Sequence, residues 1–170
     1  IEMSGLFIEK GPIVQVKSRG REPEVLRDTD SKVQYEGPLV VMTNSYSASA
    51  SEILAAAMQD YGRAVIVGSN STFGKGTVQR PIDLDRTIRG FEQYKPLGDL
   101  HLTIQKYYRI NGGSVQLRGV TPDIILPDAY HYIKTGEKDQ RFPLAWTEIK
   151  PSSYSQDVFS IDYMLSLIHI

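Results

Sequence analysis

The sequence predicts an α/β domain built on a βαβ unit, and three segments predict it. Pro38 to Thr43 is a short apolar, β-branched run that reads as a buried strand. Ser49 to Asp60 reads as a helix, because its alanines favour one and Ile53, Leu54, Ala57 and Met58 recur along one face. Ala64 to Val67 reads as a second buried strand. Connections this short make the two strands parallel, with the helix crossing one face. Such a unit brings the end of its first strand close to the loop after its second. Ser49 and Lys75 are therefore expected to meet.

Gly11 to Lys17 reads as a turn entering a strand, and Ser18 to Lys32, polar and charged, as a solvated loop or ragged hairpin. The βαβ unit follows, its helix closed by Tyr61-Gly62, since glycine tolerates the left-handed helix-ending conformation. Thr77 to Ile82 is a further strand, and Arg86 to Leu100 a polar linker with a short helical turn. Leu102 to Ile110 alternates as a half-buried strand does. Asn111-Gly112-Gly113 predicts a tight turn, with Val115 to Leu117 running back and Asp123 to Leu126 forming a last short strand. Tyr107, Tyr108, Tyr130 and Tyr132 read as packing residues.

At 170 residues the chain has room for one domain with a real core. A formal net charge of -1 gives no reason to expect nucleic acid or an anionic membrane as partner. With no cysteine, thiol catalysis, disulfides and cysteine metal sites are excluded. His101, His131 and His169 have no metal-ligand spacing, so neither a metal nor a cofactor is expected. Leu165 to Ile170 matches what a sequencing-library adapter encodes, and these six residues are expected to be non-native.

The chemistry lies in two segments. A run of small hydroxyl residues, Ser45 to Ser51, opens the helix, and Lys75 sits on a glycine-flanked turn after the next strand. A hydroxyl becomes a nucleophile when a base takes its proton, and an amine serves if it is kept neutral. Ser47, Ser49 and Ser51 alternate, so local chemistry alone leaves the nucleophile open. Ser49-Ala50-Ser51-Glu52 also matches a capping box, a purely structural role. The two readings are compatible, because a helix start carries unpaired N–H groups that suit an oxyanion. The Ala50 amide is the natural donor. Phe73 is placed to desolvate Lys75, and an extended Lys75–Gln79 segment puts Gln79 on the lysine's face as a neutral orienter. The segment Gly68 to Gly76 departs from a phosphate-binding loop, with five residues between its glycines and Gly76 after the lysine. The G-x-S-x-G elbow is absent.

Ser47-Ala48-Ser49-Ala50-Ser51-Glu52-Ile53, the run Ala57 to Ala64, and Thr72-Phe73-Gly74-Lys75-Gly76-Thr77-Val78-Gln79 resemble the carboxy-terminal processing peptidases, also called tail-specific proteases. The resemblance covers Ser4 to about Pro127. It implies a crotonase/ClpP-like α/β core, with residues 1–127 as a partial catalytic domain and 128–164 as its C-terminal extension. It implies Ser49 as nucleophile, Lys75 as base and Gln79 as its orienter, with Glu52, Asp60 and Thr72 supporting. Asp60, 11 residues beyond Ser49, lies too far along the helix for direct catalysis. The implied activity is endoproteolysis of unstructured carboxy-terminal regions of proteins in the bacterial periplasm or cell envelope, with an adaptor protein as a further partner. Two departures stand out. Lys75 follows Ser49 by one residue more than in many members, and the family's glycine-rich oxyanion segment and PDZ domain are expected ahead of Ile1. Loss of one oxyanion donor lowers turnover about 10²–10³-fold. The competing reading is therefore an inactive or truncated peptide-binding scaffold.

Overall fold

The computed structural model describes residues 1–130 and 132–155, so the expected non-native tail lies outside the described residues. Two sheets are present. In the antiparallel one the strand order is β2 (Glu24–Asp28), β1 (Gly11–Ser18), β6 (Asp99–Tyr108), β5 (Thr77–Asp83). The parallel one runs β3 (Val40–Thr43), β4 (Val65–Gly68), β7 (Ile124–Ile125). Helix α2 (Ala50–Asp60) connects β3 to β4 and touches both β1 and β4, so it bridges the sheets. Short helices α1 (Glu2–Gly5) and α3 (Leu84–Thr87) and two 3-10 turns, Glu92–Tyr94 and Glu137–Asp139, complete the described elements.

The βαβ unit has the expected register. Val40 faces Val65 and Thr43 faces Gly68 in a parallel ladder, and α2 ends where Gly62 adopts φ 65. The buried face of α2, Ala55 to Met58, packs with Ile13, Val14, Ile66, Ile110 and Val120 into one core. At its end β4 lies so close to β3 that no side chain fits at Gly68. A Cβ at that position would run into the carbonyl oxygen of Thr43 on the paired strand. Gly68→Ala is accordingly expected to lower stability by about 1–3 kcal/mol, read as a fall in the urea midpoint. An unchanged midpoint would contradict that packing.

Two expectations need correction. β3 is not a buried strand: Val40 and Met42 are 55% and 81% exposed. Among the described residues β3 is the outer strand of its sheet, paired only to β4, so its alternate side chains face away from the core. The return strand Val115 to Leu117 also does not form. The Asn111–Gly113 turn is made, with Gly112 N–H donating to Arg109 O, but the chain then leaves β6. Leu117 N–H instead donates to Gly74 O, and the fully buried Gln116 side chain accepts from Gly76 N–H at 2.8 Å. The segment is spent on holding the Lys75 loop. The expected ragged hairpin resolves into β2 pairing antiparallel with β1.

Candidate active site

α2 begins at Ala50, with Ser49 as the residue that caps it. Ser49 has φ 57 and ψ -113, which makes it one of two non-glycine residues with positive φ among the described residues. An L-residue held there is strained, and such strain persists only where surroundings enforce it. The neighbouring serines are used locally: Ser47 Oγ accepts from Asn44 N–H at 3.1 Å, and Ser51 Oγ–H donates to Ala48 O at 2.7 Å. Backbone conformation thus separates Ser49 from Ser47 and Ser51, which sequence alone left equivalent.

The loop carrying Lys75 comes back onto this helix start. Phe73 N–H donates to Ser47 O at 2.9 Å. Glu52, fully buried, holds the rest. Its Oε2 accepts the N–H of Ser49 at 2.9 Å and the N–H of Lys75 at 3.0 Å. Its Oε1 accepts Thr72 Oγ–H at 2.5 Å and Gly74 N–H at 2.7 Å. One carboxylate therefore ties the helix start to the lysine loop. Burial pushes the Glu52 carboxyl above its usual range, while the hydrogen bonds from Thr72, Gly74, Ser49 and Lys75 pull it back. Thr72 Oγ also accepts from Val120 N–H at 2.7 Å, so the supporting threonine is a relay between Glu52 and the chain ahead of β7.

Lys75 itself is half-buried, and Gly76 and Thr77 behind it are buried. Gln79 is exposed on β5, and among the described residues no hydrogen bond joins its side chain to Lys75. Ala50 lies at the surface at the first turn of α2, where helix N–H groups lack an intrahelical partner. Phe73 lines a small cavity with Ser45, Ser69 and Asp128. On the other side of the helix start, an open groove of ≈ 690 Å³ is lined by Ala50, Ser51, Ile53, Leu54, Val78 and Tyr107, among others.

Asp60 does not join this cluster. It sits at the opposite end of α2, about 16 Å of helix away at 1.5 Å per residue. There its carboxylate binds Arg109 Nη2 at 2.6 Å and Nε at 3.1 Å, and accepts from Asn111 Nδ2 at 2.9 Å. Burial pushes this carboxyl up, and Arg109 and Asn111 oppose that.

Tyr107 does more than pack, which the sequence does not reveal. Its hydroxyl, on the fully buried end of β6, reaches Lys75 O at 2.5 Å and Ser49 O at 3.2 Å. A paired Tyr-Tyr at the end of an alternating strand is the only trace of it in the sequence. Among the described residues no group of three or more His, Asp or Glu side chains is placed to hold a metal ion, and no helix is long and apolar enough to cross a membrane.

Residues 1–126 match the family model described as Peptidase family S41. Over all 170 residues the chain is 49% identical to the tail-specific protease of Haemophilus influenzae, covering 24% of that protein. It is 39% identical over 150 residues to the carboxy-terminal-processing protease of Bartonella bacilliformis, covering 83% of this chain and 32% of the relative. The chain thus spans about a quarter to a third of these relatives' length. Among solved structures, the photosystem II D1 C-terminal processing protease superposes with a TM-score of 0.60 at 28% identity, over 73% of this chain and 29% of that one.

Proposed function

Since the chain belongs to peptidase family S41, we propose that its parent protein is a serine endopeptidase working through a Ser49/Lys75 pair on a crotonase/ClpP-like core. The observation that carries this is the meeting of the two segments: Glu52 Oε2 accepts the main-chain N–H of both Ser49 and Lys75. The strained backbone of Ser49 supports its selection over Ser47 and Ser51.

In this reading Ser49 Oγ attacks the scissile carbonyl while Lys75 Nζ takes the hydroxyl proton. The Ala50 N–H donates to the developing oxyanion, where a preorganised donor contributes most. Collapse of the tetrahedral intermediate expels the amine, which takes the proton from Lys75, and water then hydrolyses the acyl-enzyme. Gln79 enters this reading as the orienter of Lys75 on the family resemblance alone, since it is exposed and the register of β5 shifts between Val78 and Gln79. The apolar groove beside Ala50 and Ser51 is suited to an unfolded chain's apolar side chain. By likeness to the tail-specific and carboxy-terminal-processing relatives, the proposed substrates are poorly structured carboxy-terminal segments of proteins, with an adaptor protein and a location in the bacterial periplasm or cell envelope as further parts of the proposal.

The test is hydrolysis of an unstructured protein tail by the full-length parent. Ser49→Ala and Lys75→Ala are each expected to lower kcat by roughly 10³-fold or more, with circular dichroism unchanged. Cleavage that survives Ser49→Ala would overturn the assignment and turn attention to Ser47 or Ser51. Tight tail binding without turnover by the wild type would favour the scaffold reading.

A further inference from the structure

Ser49 and Lys75 are each gripped at both ends of their own residue. At the N–H end the grip is Glu52, which takes both amides on one oxygen. At the C=O end it is Tyr107, whose single hydroxyl serves both carbonyls, Lys75 O at 2.5 Å and Ser49 O at 3.2 Å. The tyrosine is well anchored to do this. Its own N–H donates to Gly76 O, its carbonyl accepts from Ser114 Oγ–H, and its residue is 2% exposed between β1 and the lysine loop. Ser49 O already accepts the first helical bond from Ile53 N–H, so the phenol fixes a carbonyl whose direction α2 also sets.

We propose that Tyr107 is a positioning residue for the Ser49/Lys75 pair, its hydroxyl setting the separation and relative rotation of nucleophile and base through their main-chain carbonyls. This rests on the dyad reading above. A phenol suits the task because it must remain a donor. Burial, with the Glu52 carboxylate nearby, pushes its ionisation well above the ordinary tyrosine range. Phenylalanine would keep the ring that lines the groove and remove only the shared O–H.

The experiment uses the full-length parent with Tyr107→Phe, Lys75→Ala, the double variant and Ser49→Ala. Two readouts are taken: steady-state cleavage of an unstructured tail, and the rate at which a fluorophosphonate labels Ser49. Tyr107→Phe is expected to fold, to lower kcat about 10- to 100-fold and to leave KM within about 2-fold. In the Lys75→Ala background it is expected to change Ser49 labelling less than about 2-fold, since a positioning effect needs both partners. Equal losses in both backgrounds, a wild-type kcat, or a variant that fails to fold would each overturn the proposal. Ser49→Ala separates the two readings. Cleavage retained there removes the dyad, whereas a dead Ser49→Ala beside a full-speed Tyr107→Phe removes only the role of Tyr107.

Discussion

Glu52→Gln is expected to abolish tail cleavage by the full-length protein, by more than about 10²-fold, and to cost about 2–6 kcal/mol of stability. The reason is the sign of the partners. Four groups point at this side chain, Ser49 N–H, Lys75 N–H, Gly74 N–H and Thr72 Oγ–H, and all four donate. A carboxylate has only acceptors to offer. A glutamine replaces one oxygen with an NH₂ group, so two donors lose their acceptor and face donors instead. Each buried donor left unpaired costs about 1–3 kcal/mol. Urea unfolding and the cleavage assay check the two halves, and a variant within about threefold of wild-type activity would refute the clamp.

Asp60→Ala is expected to cost about 3–5 kcal/mol while the folded fraction keeps its kcat. The Asp60 side chain is 5% exposed and its Arg109 partner 18%, so removing the carboxylate leaves a largely buried guanidinium. Gln59 Oε1, 3.0 Å from Arg109 Nη2, remains as a neutral acceptor and holds the loss toward the lower end. Because this pair joins the far end of α2 to β6 and the Asn111 turn, the damage should appear in the urea midpoint rather than in KM or kcat. A large fall in kcat at full folding would instead place Asp60 in the chemistry.

How far the sequence leads can be judged at particular residues. The βαβ unit is legible because its apolar runs and its helical face are local patterns, and the parallel pairing of β3 with β4 across α2 follows from short connections. Glu52 is half legible. Its bond to the Ser49 amide lies three residues away and follows the capping-box spacing, whereas Thr72, Gly74 and Lys75 are reached only by tertiary folding. Tyr107 is illegible as a hydrogen-bonding residue, because its two acceptors are 58 and 32 positions distant. The absent return strand does leave a sign in the sequence: Gln116, a polar residue amid Val115 and Leu117, is buried to satisfy Gly76. Local alternation favours a hairpin, and the demand of a buried amide elsewhere wins.

The grips on positions 49 and 75 all close on peptide groups, from Glu52 on one side and Tyr107 on the other. The fold therefore supplies two sockets whose geometry does not depend on which side chain is plugged into them. Architecture and reactivity are separable at these positions. A side chain exchanged at either one alters what the site can do while the frame that aims it stays the same. This makes them natural points at which a common frame can acquire, change or lose a reaction without first having to learn to fold again.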